Sequence, residues 1–229
     1  VESNLIESNA GHGIYISSTL VVTAPLIHGN SIYSNALFGL NNQLITRTHA
    51  EGNWWGHNTV TVGPSTPRDV RSAASVWSSP PITVGLKAGP STIPADGMAT
   101  SAITATGQGG GYNILDGTLI TFTSDLATVI YPTTAGFGGG KAYATLRAGT
   151  IAGVAIVGGV PDPGIAQYTT TVTLTAGAPA SISVESWPLA IPNSCDTPRD
   201  RAVITATVED AYGNPVPGVV VSFTSNALG

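Results

Sequence analysis

Charged side chains are scarce in this chain. They make up 9% of its 229 residues, whereas an ordinary soluble domain carries about 25%. Lysine and arginine together number 8, and the formal net charge is −5. Because nucleic-acid binding depends on clustered cations, we expect no nucleic-acid partner.

Cysteine is almost absent as well. Cys195 is the only cysteine, so no disulfide can form within the chain. Cysteine is among the most buried residue types, and we expect this thiol to lie in a core. In an exported protein an odd cysteine can instead pair between two chains.

Long apolar runs are missing too. The most apolar stretch, residues 148–160, is about 13 residues long, whereas a membrane-spanning helix needs about 20. We therefore expect no membrane insertion in this segment. The chain opens at Val1 without an initiator methionine, and we interpret it as a mature or excised segment.

β-Branched residues, glycine and proline dominate what is present. The 28 glycines and 16 prolines end regular elements, and the abundant Thr, Val and Ile favour strands over helices. Hydrophobic residues make up 42% of the chain, which together with the low net charge is enough to bury a core. The composition predicts a folded all-β protein.

An internal repeat of short period opens the chain, with a spacing of about 26 residues, in the range that solenoid coils use. The recurring positions are Asn4 and Asn30, Ile6 and Ile32, Ser8 and Ser34, Asn9 and Asn35, and Gly13 and Gly39. A third, shorter step brings Asn53. Asparagine tolerates left-handed backbone angles at tight corners, and stacked Asn side chains can hydrogen-bond along the axis of a solenoid. The repeat predicts successive coils of a parallel β-solenoid.

Strand alternation assigns the side chains of these coils to two faces. The apolar set predicted to point inward is Ile6, Ile14, Ile16, Ile32 and Leu40. Tyr15 and Tyr33 are predicted to lie on the outer faces. Exposed aromatic rings can stack on sugars, so Tyr15, Tyr33 and Phe38 are candidate glycan contacts, although scattered outer aromatics also occur on solenoids for structural reasons.

Residues 1–81 resemble the C-terminal coils of right-handed parallel β-helix proteins of the pectate-lyase-like group. The repeats carry the resemblance together with Asn53-Trp54-Trp55-Gly56 and the closing Ser79-Pro80-Pro81. It implies that Trp54 and Trp55 plug the open end of the solenoid core. It also implies that residues 67–77 add a helical turn or an irregular cap.

A second repeat has a period of about one hundred residues. The matching blocks are residues 82–84 and 182–184, 103–106 and 204–207, and 116–124 and 217–225. Short alternating strands, with turn signals at intervals of about 8–12 residues, are typical of an immunoglobulin-like (Ig-like) sandwich. Residues 203–224, with Gly213-Asn214-Pro215 at the turn, resemble the bacterial Ig-like domain of the invasin/intimin type. That resemblance implies display on a bacterial surface.

The predicted fold class is all-β: the end of a right-handed parallel β-helix, or solenoid, followed by tandem Ig-like β-sandwiches, the last one incomplete. We expect coils and cap in residues 1–81, a sandwich in 82–178 and the first half of a second sandwich in 179–229. Half a sandwich exposes an apolar face and unpaired edges. The strand with Val219, Val221 and Phe223 is therefore a candidate edge for strand addition.

No residue pattern indicates chemistry. The only acids among residues 1–60 are Glu2, Glu7 and Glu51, which form no carboxylate ladder of the kind that β-helix lyases and hydrolases use. The histidines lack the spacing of a zinc site. We predict no catalytic residue, no cofactor and no metal ligand.

The function that follows is a non-enzymatic structural or adhesive segment of a bacterial extracellular surface protein: a stalk, an adhesin, or a fibre subunit completed by strand addition. Proline-bounded junctions at Pro80-Pro81 and Ala178-Pro179 would limit swing between the parts. Expected partners are copies of the chain itself or host and surface glycans.

Two alternatives remain open at this point. One is a polysaccharide-active β-helix enzyme whose catalytic coils lie outside this segment, with Ig-like spacers. The other is a passive carbohydrate-binding module that uses Tyr15 and Tyr33.

Overall fold

The computed structural model describes residues 1–18, 25–44, 48–63, 68–72, 76–77, 81–162, 166–191 and 201–225. The regular elements in these ranges are β-strands, and no helix occurs in them, as the composition predicts. Cys195 and Pro80 lie outside the described residues, and so does Pro67 at the start of the predicted cap.

Short strands in the first part of the chain lie on one another in parallel. They are β1 (Leu5–Glu7), β2 (Ile14–Ile16), β3 (Ser31–Tyr33), β4 (Phe38–Asn42), β5 (Thr48–His49), β6 (Arg68–Ser72) and β7 (Val76–Trp77). The parallel pairs are β1 with β3, β2 with β4, β4 with β6, and β5 with β7. Ile6 is paired with Ile32, and Ile14 with Leu40, so the chain lies on itself again after 26 residues. We call the described residues between 1 and 77 the front stack.

The core of the front stack is apolar. It contains the buried side chains of Ile16, Ile27, Ile32, Leu40, Leu44, Ala50, Trp55 and Val70, with Ile6 and Ile14 packed against them. The inward orientation predicted from strand alternation is therefore confirmed. Val70 lies on β6, paired with Leu40, so residues 68–72 form another strand of the stack. The prediction of a helical turn or irregular cap there was wrong, because the buried Val70 continues the alternating pattern.

A ladder of asparagine amides runs through the front stack. The backbone N–H and Nδ2 of Asn4 donate to Oδ1 of Asn30 at 3.0 and 3.1 Å. The same two groups of Asn30 donate to Oδ1 of Asn53, both at 3.0 Å. Nδ2 of Asn53 donates to the carbonyls of Ala50 and Ile27 at 2.7 and 2.8 Å. Each side chain thus pairs backbone groups at a tight corner, where no strand partner is available.

The left-handed corner residue is the one before each ladder asparagine. Ser3, Gly29 and Gly52 have φ values of 54°, 65° and 64° and precede Asn4, Asn30 and Asn53. The repeat predicts these angles at the asparagines themselves, which is wrong. In the structure one residue turns the backbone, and the next residue supplies the amide.

The second part of the chain is a two-sheet sandwich, which we call the central sandwich. Its strands are β8 (Thr83–Gly89), β9 (Thr92–Pro94), β10 (Thr100–Gly109), β11 (Tyr112–Asn113), β12 (Leu119–Ser124), β13 (Val129–Tyr131), β14 (Thr134–Gly136), β15 (Lys141–Arg147), β16 (Gly153–Pro161) and β17 (Tyr168–Thr175). One sheet has the order β11-β10-β15-β13, with β8 also on β10, and the other has β14-β12-β16-β17-β9. Ile103 and Leu146 from the first sheet and Phe122 and Val157 from the second are buried in one core. This is an Ig-like sandwich.

The last described segment contains an antiparallel hairpin of β18 (Ser181–Trp187) and β19 (Val203–Glu209). Val184 pairs with Ala206 in it, as Leu86 pairs with Ala105 between β8 and β10. The first strands of the two copies are therefore offset by 98 residues and the second strands by 101. The sequence match of residues 82–84 with 182–184 was off by two. Since strand periodicity is two, that error left the inward and outward faces unchanged.

Residues 219–223 do not form the predicted strand. The counterparts of residues 220–223 in the central sandwich, 101 residues earlier, are residues 119–122 of β12, which pairs with β14 and β16. Within the described part of the chain, no strand plays those two roles for residues 219–223. The missing neighbours explain the missing strand, because an edge strand without partners leaves its backbone groups unpaired.

Removing one buried amide tests the ladder. We expect Asn53→Ala to lower the free energy of unfolding by about 1–3 kcal/mol, because it leaves backbone groups of Asn30, Ala50 and Ile27 unpaired. The exposed Asn9, whose Nδ2 donates to Asn35 at 2.8 Å, is the matched control, and Asn9→Ala is expected to change stability by less than about 0.5 kcal/mol. Urea unfolding followed by tryptophan fluorescence measures both. An equal loss of unfolding free energy in the two variants would contradict a special role for the buried asparagines of the ladder.

Candidate functional site: the two junctions and the open hairpin

Where the chain enters the central sandwich, its backbone is hydrogen-bonded to the front stack. The backbone N–H of Ile82 donates to the carbonyl of Asn53 at 3.0 Å. Asn58 holds Val84 from both sides: its Nδ2 donates to the carbonyl of Val84 at 2.9 Å, and its Oδ1 accepts from the Val84 N–H at 2.7 Å. Asparagines of the front stack therefore bond the backbone across this junction, at Ile82 and at Val84 of β8. One feature of the sequence agrees with this contact: Asn58 precedes Val84 by 26 residues, the spacing of the short repeat.

Two aromatic side chains of the front stack are buried in the core of the central sandwich. Trp54 and Tyr33 cluster with Ile82, Ile114 and the other core residues of the sandwich, while Trp55 lies in the core of the front stack. The indole N–H of Trp54 donates to the carbonyl of Asp162 at 3.3 Å. The prediction that both tryptophans plug the solenoid core was wrong for Trp54. The two adjacent tryptophans are therefore buried in different cores.

The environment of Tyr33 keeps its phenol neutral. Burial raises the pKa of the Tyr33 hydroxyl well above its ordinary value, and the carboxylates of Asp162 and Glu7 raise it further. A neutral hydroxyl is the form that is compatible with a packed apolar surrounding. Tyr33 is thus a component of the junction and not a titrating group.

Tyr112 contacts the front stack from the tip of the β10–β11 hairpin. Its ring stacks on that of His28, with centroids 4.4 Å apart and planes at 24°. A Cβ placed on Gly52 would lie 2.1 Å from the Tyr112 ring, and the backbone of Gly52 is left-handed. Glycine is therefore required at this position on two counts. Nothing in the spacing of Gly52 and Tyr112 predicted this contact.

The turn that follows β19 forms the second junction. Oδ1 of Asn214 accepts from the N–H of Ala152 at 2.8 Å, and its Nδ2 donates to the carbonyl of Thr150 at 2.9 Å. Oδ2 of Asp210 accepts from the N–H of Gly177 at 2.8 Å. The hydroxyl of Tyr212 donates to the carbonyl of Asp96 at 3.2 Å. The turn that carried the family resemblance thus fastens the hairpin to the central sandwich.

Asp210 is ionised in this turn. Its burial opposes ionisation, but hydrogen bonds from the Asn214 side chain and from the backbone N–H groups of Gly177, Asn214 and Tyr212 outweigh that effect. Together they hold the pKa of Asp210 well below its usual range. A carboxylate that accepts several N–H bonds is stabilised in its charged form.

The predicted glycan contacts do not form one surface. Tyr15 is 60% exposed, but Tyr33 is 4% and Phe38 is 2% exposed, so neither can stack on a sugar. The central sandwich covers Tyr33. The ring of Phe38 is stacked on His12 at 5.5 Å and lies 5.7 Å from the Arg71 guanidinium. Strand alternation alone cannot show that a second body covers an outward face.

The open hairpin exposes its apolar side chains. Trp187 on β18 is 79% exposed. Val219 and Phe223 are exposed as well, and Val221 is partly buried. An apolar surface of this extent marks a contact face or an unfilled core.

Histidines and acids occur only as separate pairs in the described ranges. The pairs are His28 with Glu2 at 3.5 Å, His49 with Glu51 at 3.1 Å and His57 with Asp69 at 3.4 Å. Among the described residues, no group of three or more potential metal ligands lies together. The described part of the chain also has no helix with the length and apolarity needed to cross a membrane.

The ionised Asp210 predicts a dependence on pH. A carboxylate whose folded pKa is depressed contributes stability above its unfolded pKa, about 3.9, and this contribution is lost as the pH falls below that value. We expect hydrogen-exchange protection of the Gly177 and Asn214 amides to decrease over that range. Asp210→Asn is expected to lower the protection at neutral pH and to remove most of its pH dependence. Asp116→Asn, at an exposed carboxylate, is the control; an identical profile for both variants would contradict the assignment.

Comparison with known proteins gives partial likenesses. No protein-family model and no curated protein matches the sequence. The solved structure of InvD from Yersinia pseudotuberculosis is 24% identical, with 63% of this chain and 48% of that chain covered and a TM-score of 0.44. Invasin, described as a bacterial integrin-binding protein, is 22% identical, with 61% and 29% covered and a TM-score of 0.43.

The D00–D0 domain of intimin is 21% identical to this chain, with 44% of this chain and 54% of that domain structure covered and a TM-score of 0.38. This chain spans about half or less of the length of each of these three structures. The likeness is one of fold alone. The assignment of the Ig-like sandwich rests on the strand order and register of the chain itself.

Proposed function

We propose that this chain is a stiff structural and adhesive segment of a bacterial extracellular surface protein, a stalk or an adhesin, which acts without catalysis. In this proposal residues 1–81 are the end of a right-handed parallel β-helix, residues 82–178 an Ig-like sandwich, and residues 179–229 the first half of a second one. The observation that carries it is that front-stack asparagines bond the start of the sandwich: the backbone carbonyl of Asn53 accepts from Ile82, and the side-chain amide of Asn58 pairs with Val84.

Both junctions support stiffness. At the first, backbone rungs, the Asn58 amide and two buried aromatic rings act together, so a hinge motion would break several hydrogen bonds and expose Trp54. At the second, Asn214 is 7% and Asp210 4% exposed, and both are bonded across the boundary. Small, polar contacts between domains usually permit motion. The first junction instead buries aromatic rings and continues the backbone pairing of the front stack, and the second is held by buried hydrogen bonds. A display stalk needs such stiffness to hold its outer end away from the cell.

A more specific form of the proposal is that copies of the chain form a fibre by strand addition. Ile103 is 0% exposed while its counterpart Ile204 is 55% exposed. Phe122 is 2% exposed and its counterpart Phe223 is 56% exposed. The hairpin therefore carries core side chains with no opposing sheet in the described part of the chain. A strand from a second copy would cover them and pair with residues 219–223.

Distance measurements test the stiff junction. Spin labels at the exposed positions Tyr15 and Tyr143, in a Cys195→Ser background, are expected to give one narrow distance distribution between the front stack and the central sandwich. Tyr112→Ala removes the ring from Gly52 and His28 and is expected to broaden it. Tyr131→Ala, at an exposed tyrosine of β13, should leave it unchanged. A broad or two-peaked distribution in the unaltered chain would overturn the stalk proposal.

Sedimentation tests strand addition. The chain is expected to form larger species as its concentration rises, and Val221→Asp or Phe223→Asp should abolish this because each places a charge on the face to be buried. Ser222→Asp is the matched control, because its side chain would point to the opposite face once residues 219–223 pair as a strand. A monodisperse monomer at all concentrations would exclude the fibre form and leave the stalk intact.

A further inference from the structure

The charged residues on the strands of the central sandwich all have the same sign and all lie in one of its two sheets. They are Lys87 on β8 and Lys141 and Arg147 on β15, and each is exposed. The strands of the other sheet, β14-β12-β16-β17-β9, carry no lysine, arginine, aspartate or glutamate. One sheet is therefore positive, although the net charge of the chain is −5.

Strand alternation places these cations on the outer surface of their sheet. The alternate residues of β8 and β15 are buried in the core of the central sandwich, so Lys87, Lys141 and Arg147 point outward. Tyr143 of β15 and Tyr131 of β13 point the same way, and they are 58% and 77% exposed. We call these five residues the basic face.

The register of the sheet brings the two tyrosines beside each other and beside a cation. Tyr143 pairs with Thr104, which in turn pairs with Lys87, so these residues form a row across three strands. Tyr131 pairs with Thr145, two residues along β15 from Tyr143. The two tyrosines are therefore diagonal neighbours, within the reach of large side chains.

The outward positions of β15 form a line with a cation at each end. Their order along the strand is Lys141, Tyr143, Thr145 and Arg147. Because a strand rises by about 3.4 Å per residue, the two cations lie about 20 Å apart. A line of this length suits an extended chain that lies along the strand.

The basic face has no acidic partner in the described part of the chain. The ion pairs there involve histidines only. The acids of the central sandwich are aspartates that lie outside its strands, and Asp96, Asp116 and Asp125 accept hydrogen bonds from backbone N–H groups. Those carboxylates serve the fold, so the charge of the basic face is left for a partner of opposite sign.

The other outward residues of this sheet decide between classes of partner. Those around the tyrosines are small or carry a hydroxyl group: Gly85, Ala102, Thr104, Thr106 and Thr145. A stable protein interface has an apolar core from which charged residues are depleted, and nucleic-acid binding depends on larger clusters of cations. The composition of the basic face fits a chain that is rich in hydroxyl groups and carries spaced negative charges.

We propose that the basic face binds a linear polysaccharide in which carboxylated and neutral sugar units alternate. Lys141 and Arg147 bind carboxylates at the two ends of the line, and Lys87 adds charge beside it. The rings of Tyr143 and Tyr131 pack on the C–H faces of sugar units, and threonine hydroxyls donate to and accept from sugar hydroxyls. This inference rests on the proposed function, since it names the partner of the adhesive segment.

Binding of the full chain to immobilised hyaluronate tests the basic face, because that polymer alternates carboxylated and neutral units. Biolayer interferometry is expected to show saturable binding that weakens at least about tenfold between ~50 and ~500 mM NaCl, since salt screens exposed charges. Neutral dextran is expected not to bind. Poly-L-glutamate and a single-stranded oligo-dT are expected to bind more weakly than hyaluronate, because neither presents a row of pyranose rings.

Variants separate the tyrosine and the cations from general charge effects. Tyr143→Thr keeps a strand-forming residue but removes the ring, and it is expected to weaken hyaluronate binding about tenfold. Tyr15→Thr, at a tyrosine of β2 with 60% exposure, is the matched control. Lys141→Gln and Arg147→Gln are each expected to weaken binding about threefold, whereas Arg201→Gln, at an exposed arginine before β19, should not. Circular dichroism and thermal unfolding report whether each variant is folded.

Four results would overturn the proposal: no binding of hyaluronate, equal or tighter binding of polyglutamate or the oligonucleotide, unchanged affinity in folded variants of the basic face, or an equal loss of affinity in the two tyrosine variants. The spin-label distance between the front stack and the central sandwich is measured without polysaccharide. A narrow distribution without hyaluronate binding would therefore reject this site while leaving the stalk in place.

Discussion

The asparagine ladder is the interaction on which the rest of the structure depends. A stacked strand arrangement needs tight corners, and each corner leaves backbone groups that no strand can pair. Asn4, Asn30 and Asn53 provide those partners in succession, each donating to the next along the ladder. The backbone carbonyl of Asn53 accepts from Ile82, so the last asparagine of the ladder also pairs with the residue at which the central sandwich begins.

Two adjacent tryptophans that are buried in different cores connect the two bodies. Trp55 fills the front stack, and Trp54 enters the core of the central sandwich. Tyr33 packs in that core with Trp54, and Tyr112 reaches back to Gly52 and His28. The junction is thus closed from both directions by aromatic rings, which bury large areas. This arrangement favours a stiff segment over a flexible string of domains.

The hairpin at the far end has the opposite character. Its turn is fully engaged, with Asp210 and Asn214 bonded to the central sandwich, while its apolar strands and residues 219–223 are open. The polar groups of the attachment are hydrogen-bonded, whereas the apolar side chains of the hairpin are not covered. A hairpin that is fixed in orientation but has no opposing sheet in the described part of the chain is suited to receive one, which is the physical basis of the strand-addition proposal.

The local architecture followed from the sequence by itself. The short repeat predicted the register of β1 on β3 and of β2 on β4, and strand alternation predicted that Ile16, Ile32 and Leu40 are buried. The longer repeat predicted the sandwich and the hairpin that copies its first two long strands, because periodicity depends on neighbours along the chain.

Only the tertiary structure decided which outward-facing residues stay exposed. Tyr33 faces away from the core of the front stack and yet is buried, whereas Tyr15 is exposed. The contact of the Tyr112 ring with Gly52 does not follow from sequence spacing either. Contacts between separate bodies depend on how two folded surfaces meet, and a single strand's alternation carries no information about what lies opposite it.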